Sequence, residues 1–206
     1  SSHSAAHLTL PLIGLLLLAQ LSVSSAPILI PMCDLPPATI AAGRLLGAAL
    51  FFLPFALHRY REELPRVGMR GILQTVAAGA LFGLHFVLFI AAFDLTSFES
   101  VVVLLSFQPI AALILGRLIL KERSSPAMWF AVLLAFTGLV ALVWNDALED
   151  GNLLEGKRVL GDLFVVAACV LIVISYVAGR RLRQKLSFPV YITLFFTSGG
   201  IASLAC

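Results

Sequence analysis

One stretch, from Gly79 to Trp144, limits what this chain can fold into more than any other part of the sequence. It contains three apolar segments joined by two short charged connections. Each segment has about 20 apolar residues, which as a helix spans roughly the 30 Å of the hydrocarbon core of a bilayer. Runs of this kind predict membrane-spanning helices and exclude an ordinary soluble domain.

The composition of the whole chain indicates the same class of protein. Hydrophobic residues make up 60% of it and charged residues 12%, and the mean hydropathy is +1.03. A net charge of +3 with a pI near 9.0 would suit a nucleic-acid partner, but most of the basic residues lie in short connections between apolar segments. The predicted partner is therefore the lipid bilayer and not a nucleic acid. The three cysteines lie far apart without a CxxC pair, so we predict no disulfide framework and no metal site.

The apolar segments predict an all-α polytopic membrane protein with about seven transmembrane helices. These are predicted at Leu8–Met32, Pro37–Leu57, Arg70–Phe93, Phe98–Leu120, Pro126–Trp144, Leu160–Leu182 and Phe188–Cys206. Eleven of the 14 Lys and Arg residues fall in alternate connections, after the second, fourth and sixth helices. By the positive-inside rule these connections face the cytoplasm, and so does the N-terminus.

Several motifs lie at characteristic places on these helices. They are Arg44 on the second helix, Glu99-Ser100, Ser106-Phe107-Gln108-Pro109 and Gly116 on the fourth, Lys121-Glu122-Arg123 at its end, and Gly161-Asp162-Leu163 with Arg180-Arg181-Leu182 on the sixth. In these features the chain resembles the EamA family of the drug/metabolite transporter superfamily. The resemblance implies ten helices in two sets of five, so the chain is expected to lack about the last three.

A faint internal repeat accompanies the resemblance. A shift of 152 residues places Pro37 over Pro189, Gly47 over Gly199 and Ser24 over Tyr176. Five helices precede the restart, and because five is odd the second copy begins on the opposite side of the membrane, which makes an inverted repeat. We predict a first repeat at 8–145, an extracytoplasmic linker at 146–159 and the start of a second repeat at 160–206.

The sequence carries no HExxH, GxSxG or phosphate-binding glycine loop, and no pair of intramembrane carboxylates. We therefore predict neither an enzyme nor a bound cofactor, but a binding cavity formed by a few polar side chains. Arg44 lies about two turns into its helix, where it either binds a substrate carboxylate or snorkels to the headgroups. His85 either lines the cavity and carries a proton, or bonds a neighbouring carbonyl as a neutral imidazole.

The remaining candidates lie on three further helices. Gln108 stands beside the bend that Pro109 predicts, either lining a polar cavity or joining two helices. Gln20 and Ser24 share a face of the first helix, and Tyr176 occupies the repeat position that corresponds to Ser24.

Two GxxxG spacings, at Gly43 with Gly47 and at Gly79 with Gly83, predict close helix packing.

These features predict a carrier in a bacterial plasma membrane that exports small metabolites by alternating access. The substrate would occupy a central cavity between helices one, three, four and six. Protons are the candidate coupling ion, and a homodimer is one possible oligomeric state. The resemblance implies amino acids, related metabolites or drug-like compounds as substrates. One alternative is a nucleotide-sugar or phosphorylated-metabolite carrier, which should show more cavity Lys and Arg. The other is a membrane scaffold or sensor without a continuous cavity.

Overall fold

A computed structural model describes residues 10–121, 125–150, 156–183 and 185–206. Those ranges contain helices and turns, and no strand occurs in them. The predicted start at Leu8, the motif residues Glu122 and Arg123, and the middle of the predicted linker lie outside the described residues. The chain divides into two compact units, one that ends at Leu35 and one that runs from Pro36 to Cys206.

The first unit is a single α-helix that ends in a 3₁₀ turn. Helix α1 covers Leu10–Leu29 and is followed by one 3₁₀ turn over Ile30–Met32. Proline lies at the start of that turn, where the backbone N–H that it lacks would not be bonded within the helix. The predicted first helix, Leu8–Met32, is confirmed over its described length.

Six helices form the second unit. They are α2 (Pro37–Ala92), α3 (Phe98–Leu104), α4 (Phe107–Leu120), α5 (Pro126–Asp150), α6 (Gly156–Leu182) and α7 (Phe188–Leu204). Four described segments are long and apolar enough to cross a membrane, namely Pro37–Tyr60, Val67–Ala92, Phe98–Ile119 and Gly156–Arg180. Shorter apolar helices lie at Ile13–Ala26, Pro126–Gly138 and Phe188–Leu204. The protein is thus an all-α polytopic membrane protein, and all seven predicted apolar segments are helical.

The predicted connection between the second and third spans is helical as well. Helix α2 consists of two helical arms, α2a (Pro37–Tyr60) and α2b (Val67–Ala92), and it is kinked at Gly68, where the backbone is not helical (φ 69°, ψ 168°). A loop at 58–69 was therefore the wrong prediction. The charged residues in this segment, mostly Arg and Glu, are good helix formers and are no reason for a helix to end. Gly68 ends the regular geometry because a residue without Cβ adopts this backbone conformation at little cost.

The fourth predicted span is interrupted where Pro109 predicts a bend. Helix α3 ends at Leu104 and α4 begins at Phe107. Pro109 has no N–H for the Leu105 carbonyl, and that carbonyl instead accepts a bond from the Gln108 N–H at 3.0 Å. The predicted bend is confirmed, and it takes the form of a break between two helices.

Helix α7 runs antiparallel to α2a and parallel to α2b. The ring of Phe52 meets that of Phe188 at the start of α7 (centroids 5.5 Å apart), whereas Leu46 lies against Gly200 near its end. Along α2b, Gly79 lies against Phe195 and Gly83 against Gly199. The seventh helix thus has the opposite sense to the second, as an inverted repeat requires.

The two predicted glycine pairs behave differently. A Cβ at Gly83 would meet the carbonyl oxygen of Gly199, so the α2b pair permits close contact with α7, as GxxxG spacing predicts. Gly43 and Gly47 on α2a have nothing within 4 Å of a built Cβ, and no such contact exists for them among the described residues.

Helix α6 runs antiparallel to α2b and is joined to it at one end of the unit. Thr96 Oγ1, just after α2b, donates to Asp162 Oδ1 at 2.8 Å. A second bond lies in the turn before α7, where the Ser187 N–H donates to the Glu63 carboxylate at 2.7 Å. The apolar core lies between these two bonds, where the α2 arms, α6 and α7 meet.

Candidate functional site

A cavity of about 1360 Å³ lies between α3, α4, α5, α6 and α7, and one residue of α2b, Phe82, also contributes to its wall. Most of the described lining is apolar. Six polar or charged side chains interrupt it: Ser106, Gln108, Tyr176, Arg180, Arg183 and Tyr191. A concave and mainly apolar site with a few polar groups is the usual form of a small-molecule site.

The break between α3 and α4 contributes two of these polar side chains. Ser106 lies in the break, and Gln108 lies in the first turn of α4. Both side chains are half-buried. Because irregular backbone inside a membrane needs other protein or a water-filled cavity beside it, the position of this break next to the cavity is physically consistent.

Helix α6 provides a charged stripe. Tyr176 and Arg180 on α6 and Arg183, one residue after its end, are separated by four and three residues, so they lie on one side, and all three line the cavity. The Arg183 guanidinium lies over the Phe188 ring, with 5.6 Å between Cζ and the ring centroid. Both arginines lie towards the α6–α7 turn, at one end of the cavity, and both side chains are exposed.

Helix α7 provides an aromatic wall. Tyr191, Phe195 and Phe196 line the cavity, and Tyr191 stacks on Phe195 with ring centroids 5.3 Å apart. The Tyr191 hydroxyl occupies the space that a side chain at Gly179 would fill. Glycine at that position therefore lets the ring approach α6.

His85 lies behind this cavity and is not among the residues that line it. Its ring is 5% exposed, and its Nδ1 is 2.8 Å from the Ala168 carbonyl oxygen on α6. Since a carbonyl only accepts, Nδ1 carries the proton in this bond. The ring also stacks on Phe82, with centroids 5.8 Å apart, so Phe82 separates His85 from the cavity. This geometry corresponds to the second of the two readings from the sequence, an imidazole bonded to a neighbouring carbonyl.

Arg44 likewise lies outside the described lining. Its guanidinium stands over the ring of Phe86, with 4.9 Å between Cζ and the ring centroid, in a cation–π contact between α2a and α2b. Phe86 in turn meets the edges of both His85 and Phe82. Arg44 and His85 thus share one aromatic cluster, adjacent to the cavity but separate from it.

Gln20 and Ser24 belong to the first compact unit. They are exposed on α1, and the Gln20 side-chain amide donates to Ser24 Oγ at 3.4 Å. Their predicted place in a cavity stays a prediction. Of the six predicted site residues, the structure brings Gln108 and Tyr176 together around one cavity.

Sequence reasoning missed Arg180, Arg183 and Tyr191. The sequence analysis uses Arg180 as a motif residue of the family resemblance and the basic residues of this connection as markers of the cytoplasmic side, and it includes neither arginine among the cavity residues. Their spacing of four and seven residues from Tyr176 was the available signal, since it places all three on one face. Tyr191 gave no comparable signal, because an apolar helix of even composition does not indicate which side faces a cavity. No group of three or more His, Cys, Asp or Glu side chains suited to a metal ion occurs among the described residues.

Membrane-spanning helices around a mainly apolar cavity with a few polar side chains are typical of polytopic transport proteins. A family model described as the EamA-like transporter family matches residues 10–144 of the 206. The chain therefore belongs to the EamA-like transporter family, and it is a membrane transporter of the drug/metabolite type. No curated protein matches it, and no solved structure does.

Proposed function

We propose that the protein exports small organic metabolites from a bacterial cell by alternating access around the cavity between α3 and α7. The observation that carries this proposal is the position of the cavity at the junction of the two predicted repeats. Helices α3, α4 and α5 belong to the first repeat, and α6 and α7 belong to the second. Rocking of two inverted halves against each other would open such a site to each side in turn.

The test is transport by the purified protein in liposomes, measured against a panel of labelled metabolites. Ala112 is exposed on α4 and lines the cavity, so Ala112→Trp should fill the cavity and abolish uptake of any transported compound. Ala77 is exposed on α2b away from the cavity, and Ala77→Trp is the matched control. Equal transport by both variants would show that the cavity is not the route.

Orientation is tested separately with the native cysteine between α1 and α2. Cys33 is exposed and lies in a connection that the charge pattern places outside the cell. In a variant with Cys33 as its single cysteine, a membrane-impermeant maleimide should label intact cells. A cysteine placed at Lys185, in the predicted cytoplasmic turn, should react only after lysis. The reverse pattern would refute the proposed cytoplasmic N-terminus.

Proton coupling through His85 stays part of the proposal. If His85 carries the proton, His85→Gln should remove the pH dependence of transport while the variant remains folded, as judged by thermal unfolding in detergent. If His85 only bonds Ala168, the same variant should lose stability and retain its pH dependence. The bond to α6 and the separation from the cavity favour the second outcome.

A carrier of phosphorylated metabolites remains the second candidate, and one observation favours it. Arg180 and Arg183 line the cavity, and arginine side chains are common partners of phosphate groups. The scaffold alternative needs no continuous cavity. It is favoured by the separation of Arg44 and His85 from Gln108, and disfavoured by the cavity that Gln108 and Tyr176 share.

A further inference from the structure

Helix α6 has different surroundings in its two halves. The residues of α6 that line the cavity begin at Val173 and continue to Arg180, and Arg183, with an exposed side chain, follows one residue after the helix ends. No described residue of α6 before Val173 contributes to the lining. We call the end of the second unit at the α6–α7 turn the Arg183 end, and the end at which α6 begins the Thr96 end.

The first half of α6 is joined to the neighbouring helices by polar contacts. The Ala168 carbonyl oxygen accepts from His85 Nδ1 on α2b at 2.8 Å. One residue later, the Cys169 thiol donates to the carbonyl oxygen of Leu104, the last residue of α3, at 3.7 Å. The side chains of Cys169 and of Val165, one turn earlier, are fully buried. This half of α6 is therefore closed against α2b and α3.

The cavity begins where these contacts end. On α3 and α4 its lining consists of Val102 and of residues that follow Leu104, starting with Leu105 and Ser106 in the break. The contact between Leu104 and Cys169 thus lies next to the inner limit of the cavity. Beyond this contact, α4 and α6 border the same cavity, which extends towards the Arg183 end.

The Thr96 end is closed by contact between a turn and the start of α6. Thr96 Oγ1, in the turn after α2b, donates to Asp162 Oδ1 at 2.8 Å, and the Thr96 side chain is buried. Gly161 has no room for a side chain, because a Cβ there would lie 2.8 Å from Thr96 Cβ and 2.9 Å from Leu95 Cβ. Gly161 and Asp162, two residues of the family motif, therefore join α6 to this turn by one hydrogen bond and one close packing contact.

A carrier that works by alternating access must hold one end of its cavity closed while the other end is open. The described structure has this asymmetry, since the cavity extends to the Arg183 end and α6 is packed and bonded at the Thr96 end. Access from the Thr96 end would require Thr96 and Asp162 to separate. One hydrogen bond changes such an equilibrium only about fivefold, so it can be broken in every cycle.

We infer that the contact of Gly161 and Asp162 with the turn at Thr96 is a gate, which closes the Thr96 end while the cavity is open at the Arg183 end. This inference rests on the proposed transport function and assigns the residues that hold one of its two conformations. In the proposed orientation the Arg183 end faces the cytoplasm, so the gate must open when a substrate leaves the cell.

The test measures how fast a membrane-impermeant maleimide labels Cys169. This residue is fully buried in the closed half of α6, and replacement of Cys33 and Cys206 by serine leaves it as the single cysteine. In the predicted topology, Cys33 and the turn at Thr96 face the same side of the membrane. Opening of the gate should therefore expose Cys169 to reagent on the side from which Cys33 is labelled. Intact cells and inside-out vesicles present the two sides separately.

Two variants weaken the gate, and each has a matched control. Thr96→Val removes the donor and should raise labelling from the Cys33 side about fivefold, whereas Thr96→Ser keeps a hydroxyl and should change it by less than about twofold. Gly161→Ala brings a Cβ against the turn and should raise labelling about fivefold or more. Gly156→Ala, in the same helix with nothing within 4 Å of the new Cβ, should leave the rate unchanged.

Three outcomes would overturn the inference. The first is an equal labelling rate in all variants, and the second is an increase from the Lys185 side alone. The third is an equal increase in Gly83→Ala, which alters the α2b–α7 contact, because general loosening would then explain the result. The assay needs no transported compound, so the inference can fail while the carrier function stands. Gate opening as expected, without transport of any compound of the metabolite panel, would instead overturn the proposed function.

Discussion

The contact between α2b and α7 leads to a prediction about Gly83→Ala. A Cβ on Gly83 would meet the Gly199 carbonyl oxygen, and it would lie 2.8 Å from the carbonyl carbon and 2.9 Å from the Cα of Gly199. Carbon atoms pack best at about 3.5–4.0 Å, so the two helices must separate. The obstacle is the backbone of Gly199, so no side chain can rotate away to relieve it.

The expected cost follows from overpacking. Forcing one extra carbon into a well-packed contact costs about 1–3 kcal/mol. Alanine in a helix gains about 0.5–1 kcal/mol relative to glycine, which offsets part of this cost. The matched control is Gly47→Ala, in the same helix α2 but with nothing within 4 Å of the new Cβ. Because the helix-propensity gain is common to both variants, their difference measures the packing cost alone.

The assay is equilibrium unfolding in mixed micelles with increasing sodium dodecyl sulfate, followed by tryptophan fluorescence. Gly83→Ala should be less stable than Gly47→Ala by about 1–3 kcal/mol. The double variant Gly83→Ala/Gly199→Ala should lose less than the sum of the single losses, because the first substitution already separates the helices. Equal stability of Gly83→Ala and Gly47→Ala would refute the close α2b–α7 contact.

Three further substitutions test the ends of the α2 arms in the same unfolding assay. Glu63→Gln replaces the carboxylate that accepts the Ser187 N–H at the start of α7, and it should cost about 0.3–1 kcal/mol, most visibly at low salt; no salt dependence would contradict this role. Gly68→Ala places a Cβ at φ 69°, ψ 168° and should cost about 1–3 kcal/mol, whereas a neutral result would mean that the arms meet in another conformation. Thr96→Val removes the hydroxyl that donates to Asp162 and should cost about 1 kcal/mol, and an unchanged midpoint would show that this bond is not needed.

The apolar segments and the bend at Pro109 could be predicted from the sequence because hydropathy and proline chemistry act locally. The helical connection before Gly68 could not be predicted in this way. Charged residues between two apolar segments indicate a loop, although Arg and Glu also favour helices. Charge patterns indicate which side of the membrane a segment faces, and they do not exclude a helix.

The cavity was predictable only in part. Gln108 is marked by the break beside it, and Tyr176 by its place in the repeat. The faces of α5 and α7 that complete the cavity wall are set by how the helices pack. The sequence of an evenly apolar helix does not indicate which of its faces will line a cavity. His85 shows the same limit, since a lone histidine on an apolar helix has the same sequence signal whether it lines a cavity or bonds to Ala168.

The helical backbone that precedes the kink at Gly68 has a practical consequence for anyone who modifies this protein. Connections between membrane spans are usually chosen for epitope tags and protease sites because their backbone is already irregular. Between Tyr60 and Val67 the backbone is helical, so an insertion there would break main-chain hydrogen bonds and change the direction of α2b. Trypsin should cut poorly beside Arg59 for the same reason, despite the exposed side chain.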